Sequence, residues 1–150
     1  MSESNAVEIL LVEDTPEDLE LALRALRKAN LTNRIQIARD GAEAMEFIFA
    51  EGKYSGRKIE DGPKVVLLDL KLPKIDGMEV LRRIKSDPRT KTIPVVVLTS
   101  SKEQKDVVES YQLGVNSYIV KPVNFERFAQ AVQDLGMYWL LLNQPPKLDG

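Results

Sequence analysis

The stretch Val65-Val66-Leu67-Leu68-Asp69-Leu70 is an almost continuous apolar run with one acid near its end. Such runs are typical of central strands in parallel sheets, because helices cover both faces of the sheet. An aspartate in such a strand is costly unless it is paired, bound to metal or solvated at the strand's carboxyl end. The run therefore predicts a buried strand and marks Asp69 as a candidate functional residue, with simple solvation as the alternative.

Outward from this strand, the chain alternates apolar strand and amphipathic helix five times. The predicted strands cover residues 8–13, 34–38, 65–70, 93–99 and 117–120. Predicted helices begin near residue 15, cover 42–49, 78–84 and 102–112, and begin again near 125, while residues 50–63 form a polar loop. Strict alternation predicts an open parallel sheet with helices on both faces. Right-handed crossovers and the polar second strand favour an α/β, flavodoxin-like, doubly wound sheet of five strands in the order 2-1-3-4-5, with five helices.

Length and composition fit one domain over residues 1–150, with a core of about 7–135 and a tail over 136–150. The net charge of −2 gives no global basic footprint for nucleic acid, so we expect no direct DNA binding. The chain has no cysteine and no histidine, which excludes disulfides, an internal phosphohistidine and histidine-ligated zinc. No apolar run approaches the roughly 20 residues of a membrane span, and no signal peptide precedes the first strand, so we expect a cytoplasmic protein.

Residues suited to the same chemistry as Asp69 lie at the ends of three of the other four strands. Glu13 and Asp14 follow the first strand, Thr99 ends the fourth, and Lys121 follows the fifth. In the predicted strand order, parallel strands 1 and 3 are neighbours at the topological switch point, where ligands bind beyond the carboxyl ends. Each residue also has an ordinary interpretation: a solvated acidic turn, a helix cap near Ser101, or a surface lysine. The combination, rather than any one residue, indicates a site.

The predicted site suits Mg²⁺ and phosphoryl transfer. Mg²⁺ prefers hard oxygen ligands, which Asp14, Asp69 and the backbone carbonyl of Lys71 can supply, with Glu13 acting through a water. Charge spread over the oxygens of a transferring phosphoryl group would be neutralised by Mg²⁺, Lys121 and Thr99. A carboxylate can act as the nucleophile and carry the group covalently, and Asp69 is the candidate for this role.

These residues resemble a bacterial response-regulator receiver domain. The resemblance covers about residues 7–135 and rests on segments in a fixed order: Ile9-Leu10-Leu11-Val12-Glu13-Asp14, Val66-Leu67-Leu68-Asp69-Leu70, Leu72-Pro73-Lys74-Ile75-Asp76-Gly77, Ile93-Pro94-Val95-Val96-Val97-Leu98-Thr99 and Lys121-Pro122. It implies that Asp69 is the phosphoacceptor, Glu13 and Asp14 are magnesium acids, Thr99 is the switch hydroxyl, and Lys121 contacts the phosphate. It also implies a switch aromatic at Tyr118, a cis Lys121–Pro122 bond, and a sensor histidine kinase as partner. Lys71 departs from the Asn or Met that is frequent two residues after the acceptor.

Two features, the loop before the third strand and the apolar tail, indicate a subfamily of receiver domains. Together they are similar to single-domain regulators that partner phytochrome-type kinases, which implies a light-sensing partner. A helix that covers a sheet needs only one apolar stripe. The segment from Met137 to Leu142 is apolar on every side, so its remaining apolar surface must be buried elsewhere. Either it folds back on its own domain or it forms a homodimer with helix 4, strand 5 and helix 5, in which Tyr138 and Trp139 are anchors.

Two other functions fit the predicted fold less well. A magnesium phosphatase with an aspartate nucleophile would place the nucleophile and a second acid two residues later after the first strand, where this chain has Glu13-Asp14-Thr15-Pro16. A flavin-binding module would need a phosphate-binding loop rich in Ser, Thr and Gly after the first strand, and that loop is absent. The leading hypothesis is therefore a phosphorylation switch that signals through protein contacts.

Overall fold

The computed structural model describes residues 8–28, 34–122 and 124–134. Five parallel strands form one sheet in the order β2-β1-β3-β4-β5, as the sequence predicts. The strands are β1 (Ile9–Val12), β2 (Ile35–Ala38), β3 (Val65–Leu68), β4 (Val95–Thr99) and β5 (Ser117–Val120). The helices are α1 (Pro16–Lys28), α2 (Gly41–Ile48), α3 (Gly77–Ser86), α4 (Gln104–Leu113) and α5 (Phe125–Asp134).

Alternate side chains of the strands build two cores, one on each face of the sheet. Leu10, Val66 and Val97 face helices α2, α3 and α4, whose buried residues include Phe47 and Leu81. The intervening strand residues face α1 and α5 and pack with Leu19, Leu26 and Phe128. Burial on both faces explains why β1 and β3 are apolar throughout and β4 is apolar up to Thr99, while the outer strand β2 carries a half-buried glutamine.

The predicted strands were one to two residues too long at several ends. β3 ends at Leu68 and β4 begins at Val95, whereas the sequence predicted residues 65–70 and 93–99. Leu70 is still only 2% exposed, and Ile93 donates its N–H to Thr90 O in a turn. The apolar pattern reports burial, which continues past the hydrogen-bonded ladder, so it overestimates strand length.

The start of α4 also differs from the prediction. The helix begins at Gln104 rather than near residue 102, and its N-cap residue is Glu103 rather than Ser101. Ser101 Oγ instead accepts the Glu103 N–H at 3.3 Å and donates to Asp106 Oδ2 at 2.6 Å. The hydroxyl therefore bridges the loop and the first turn of α4 instead of capping the helix directly.

The predicted loop over residues 50–63 is a surface segment with two short 3₁₀ turns, Gly52–Tyr54 and Ile59–Asp61. The Tyr54 ring meets the Phe47 ring edge to face, with centroids 5.0 Å apart. The Arg57 guanidinium lies over the Phe47 ring, 4.0 Å from its centroid, and donates to the Phe47 carbonyl. The segment is thereby fixed to α2, away from the carboxyl ends of the strands.

Candidate phosphoacceptor site

The carboxyl ends of β1, β3 and β5 bring the predicted site residues together. The backbone N–H of Asp69 donates to Val12 O at 3.2 Å, which places Asp69 beside the Glu13–Asp14 pair. Carboxylate oxygens of Glu13, Asp14 and Asp69 all lie within 4.8 Å of one another. Glu13 and Asp69 are buried, at 3% and 4% exposure, whereas Asp14 is exposed and marks the solvent side of the cluster.

Lys121 lies at the centre of the acids. Its Nζ is 2.6 Å from Glu13 Oε1, 2.8 Å from Asp69 Oδ2 and 3.0 Å from Asp18 Oδ2. An ammonium has three N–H donors, so three carboxylates can satisfy all of them. The lysine side chain is only 9% exposed. The bond between Lys121 and Pro122 is cis, as the resemblance predicted.

Burial and charge shift the pKa values of this cluster. Burial of the Glu13 carboxyl raises its pKa, and the neighbouring Asp69 adds to the rise, although hydrogen bonding to Lys121 opposes it. Burial alone would lower the pKa of Lys121, but hydrogen bonds to Asp69, Glu13 and Asp18 outweigh it and raise that pKa. The lysine is therefore held as a cation among acids that one cation does not fully neutralise.

Both oxygens of Asp69 have donors. Oδ2 accepts from Lys121, and Oδ1 accepts the backbone N–H of Lys71 at 3.0 Å. Gly77 supports this loop from behind, because a Cβ there would lie 2.1 Å from the Asp69 carbonyl oxygen. The need for glycine at this position was not predicted from the sequence; the Asp76-Gly77 pair at the start of α3 was the available signal.

Thr99 and Tyr118 meet at one residue of the β4–α4 loop. Thr99 is fully buried, and its Oγ1 accepts the Ser101 N–H at 3.3 Å. Tyr118 is 8% exposed, and its hydroxyl donates to Ser101 O at 3.0 Å. Burial raises the pKa of the Tyr118 phenol. The two predicted switch residues are thus connected through Ser101, which was expected only to cap a helix.

Lys71 and Asp18 are two further charged residues around the Asp69–Lys121 pair. The side chain of Lys71 is 59% exposed and points towards α4, since its Nζ lies 3.8 Å from Asp106 Oδ2. Asp18 lies in the first turn of α1, where an acid also interacts favourably with the helix dipole. The sequence did not predict its contact with Lys121, which lies 103 residues further along the chain. Tyr138 and Trp139, the predicted dimer anchors, lie outside the described residues.

Residues 9–133 match the model of the response regulator receiver domain, and the chain belongs to that family. A curated relative, the probable methanogenesis regulatory protein FilR2 of Methanothrix harundinacea, is 44% identical over 92% of this chain and 86% of its own length. Response regulator Rcp1 of Synechocystis is 43% identical over 88% of each chain.

Solved structures of similar regulators share the fold. The bacteriophytochrome response regulator RtBRR is 52% identical, with a TM-score of 0.82 over 93% of this chain and 84% of its own. The Mn²⁺-bound form of Rcp1 is 41% identical, with a TM-score of 0.75, and the phosphorylated cyanobacterial phytochrome response regulator RcpA is 42% identical, with a TM-score of 0.74. Each of these two covers 94% of this chain and 99% of its own.

The chain is therefore a receiver-domain response regulator. Proteins of this class are phosphorylated on an aspartate and receive the phosphoryl group from a partner histidine kinase. The phosphatase alternative is not favoured. Receiver domains bind Mg²⁺ at an acidic pocket, and the cluster of hard carboxylate oxygens from Glu13, Asp14 and Asp69 has the chemistry this ion requires. Within the part of the chain that the structure describes, no helix combines the length and apolar character needed to cross a bilayer.

Proposed function

We propose that Asp69 is the phosphoacceptor of a regulator that a phytochrome-type sensor histidine kinase phosphorylates. The observation that carries the assignment is the contact of a buried lysine, Lys121, with the buried carboxylate of Asp69 at the switch point of the sheet. The phytochrome partner is supported by the names of RtBRR and RcpA. FilR2, a relative of comparable identity, is named a methanogenesis regulatory protein, so the test below compares kinases of different classes.

The reaction is an in-line displacement on phosphorus. An Asp69 oxygen attacks the phosphorus of the kinase phosphohistidine, the new P–O bond forms as the P–N bond breaks, and the leaving imidazole takes up a proton from solvent. Lys121 donates to the phosphoryl oxygens and offsets their charge, and the Lys71 N–H orients the Asp69 carboxylate. Glu13, Asp14 and Asp69, with the Lys71 carbonyl, would hold Mg²⁺, which when bound supplies positive charge against the phosphoryl oxygens.

Readout would follow from the connection through Ser101. Movement of the Thr99 hydroxyl towards a phosphoryl group would pull the Ser101 N–H that it accepts. Ser101 also accepts from Tyr118, so the same movement would change the hydrogen bond of the switch aromatic. Tyr111 and Val108 are the exposed apolar residues of α4 near this face, at 50% and 45% exposure. We therefore assign the signalling surface to α4, β5 and α5.

The remaining parts of the proposal concern assembly and location. The apolar segment 137–142 supports a homodimer with Tyr138 and Trp139 as anchors. Residues 1–150 would act as one receiver domain that signals through protein contacts, without direct DNA binding, in the cytoplasm. It would be a switch rather than a turnover enzyme, with self-catalysed phosphotransfer and autodephosphorylation as its only chemistry.

Phosphotransfer profiling tests the proposal. Purified histidine kinases of the source organism, each autophosphorylated, would be mixed with the wild-type chain, with Asp69→Asn and with Asp76→Asn. Asp76 is an exposed aspartate in the same β3–α3 loop and is the matched control. We expect a phytochrome-type kinase to transfer fastest to wild type and Asp76→Asn and not at all to Asp69→Asn. Preferential transfer from a kinase of another class would refute the light-sensing partner but leave the acceptor assignment intact.

A further inference from the structure

Lys121 has a partner that the chemistry of the reaction does not explain. Asp18 Oδ2 lies 3.0 Å from its Nζ, yet Asp18 is absent from the group of Glu13, Asp14 and Asp69 whose oxygens converge for a metal. Asp18 comes from the first turn of α1, whereas Glu13 and Asp69 come from the loops after β1 and β3. The ammonium is thus attached to a helix as well as to the reacting carboxylate.

The three partners of Lys121 have different fates during phosphorylation. Asp69 becomes an acyl phosphate, and Glu13 belongs to the acidic group that would face a metal ion. Asp18 takes part in neither change, so its hydrogen bond to Lys121 can persist throughout. Two of the three ammonium donors then become available to phosphoryl oxygens while the third keeps Nζ in place.

We propose that Asp18 is a positioning residue that holds the Lys121 ammonium in reach of the phosphoryl group on Asp69. This inference rests on the proposed roles of Asp69 and Lys121. A lysine side chain has four rotatable bonds and loses considerable rotamer freedom when its end is fixed. Because Asp18 fixes the ammonium in the folded protein, this freedom is already lost before the reaction begins. The ammonium therefore needs no reorientation in the transition state.

The neighbouring acid Glu17 supplies a matched control. Glu17 and Asp18 are both acids of the first turn of α1, and each interacts favourably with the positive end of the helix dipole. Glu17 is exposed, whereas Asp18 is half-buried, with a side chain 31% exposed, and contacts Lys121. Loss of a charge from the helix start is therefore common to both substitutions, and only the change at Asp18 removes a Lys121 contact.

The experiment measures the rate of phosphorylation by acetyl phosphate at saturating Mg²⁺, over a range of donor concentrations. We expect Asp18→Ala to lower the limiting rate about tenfold, the effect of one hydrogen bond to a charged group, with the half-saturating donor concentration unchanged. Asp18→Asn keeps a carboxamide oxygen in place and is expected to retain most of the rate. Glu17→Ala is expected to match wild type.

The comparison separates positioning from other roles. A rate for Asp18→Ala within twofold of wild type would overturn the inference, and so would an Asp18→Asn rate as low as that of Asp18→Ala, because charge rather than position would then be the cause. Asp18→Ser, which cannot reach Lys121, replaces Asp18→Ala if circular dichroism shows that variant to be unfolded. If wild type gains no phosphoryl group on Asp69 and binds no fluoroberyllate by ¹⁹F NMR, the proposed function itself fails and the inference with it.

Discussion

Nζ of Lys121 lies 2.8 Å from Oδ2 of Asp69, although 52 residues separate the two along the chain. Their meeting follows from the parallel sheet, because β3 and β5 end at the same edge with β4 between them. Both side chains are almost completely buried, so the pair exists in a region where an unpaired charge is costly. The stability of the site and its chemistry therefore depend on the same contact.

Replacing Lys121 by methionine removes the only cation that contacts Glu13 and Asp69 among the described residues. Breaking a buried ion pair leaves uncompensated charge, so we expect a loss of about 3–5 kcal/mol in the free energy of unfolding without metal. Urea unfolding of Lys121→Met and wild type measures it. Lys105→Met, at a lysine 82% exposed, is the control and should change stability by less than about 0.5 kcal/mol. Equal stability of wild type and Lys121→Met would contradict the contact.

Mg²⁺ is expected to stabilise the folded chain, because the unfolded chain lacks a cluster of converging carboxylates. At a free concentration 100 times Kd, the gain is about 2.7 kcal/mol. Differential scanning calorimetry with Mg²⁺ and with EDTA should show a higher Tm with the ion. Asp14→Asn, at the exposed member of the cluster, should abolish the shift, whereas Glu17→Gln should preserve it. A Tm that ignores Mg²⁺ in the wild-type chain would argue against the site.

The Tyr118 phenol gives a prediction at high pH. Because the folded-state pKa of Tyr118 is raised above 10.0, the unfolded chain loses this proton first. The stability that the phenol contributes is therefore fully present below pH 10.0 and is lost as the pH rises through the folded pKa. Tyr118→Phe loses the bond to Ser101 O, which costs about 1 kcal/mol at pH 8.

The measurement is urea unfolding of wild type and Tyr118→Phe between about pH 8 and pH 11, a range that brackets the ordinary pKa of a tyrosine. The stability advantage of wild type over Tyr118→Phe should shrink once the pH exceeds 10.0. Taking the difference between the two proteins cancels the titration of the other tyrosines and lysines. An advantage that stayed constant or grew over this range would show that the phenol is not held protonated by its burial.

The proposed homodimer predicts concentration-dependent sedimentation. Wild type should shift from monomer to dimer as concentration rises, and Trp139→Ala should remain monomeric, because truncating a large aromatic anchor removes much of an interface's free energy. Leu21→Ala, at an exposed apolar residue of α1, is the control and should still dimerise. Sedimentation of Trp139→Ala identical to wild type would exclude Trp139 as an anchor. A wild-type monomer at every concentration would refute the dimer.

The sequence predicted the strand order and the meeting of four strand ends, because both follow from the alternation of elements and from parallel geometry. It placed strand ends less well, since Leu70 and Ile93 are apolar for reasons of burial outside the ladder. The Asp18 contact was missed because it depends on how close the first turn of α1 lies to the end of β5, where Lys121 follows. A helix start explains an acid at that position equally well, so the pattern alone could not distinguish the two roles.

The central claim is that Asp69 carries the phosphoryl group, and chemical trapping of that residue tests it most directly. The chain would be phosphorylated with acetyl phosphate and Mg²⁺ and then reduced with borohydride, which converts an aspartyl phosphate to homoserine. Peptide mass spectrometry should find homoserine at position 69 in wild type and in Asp76→Asn, and no homoserine in Asp69→Asn. Homoserine at any other aspartate of the wild-type chain, or retained phosphate in Asp69→Asn, would contradict the assignment.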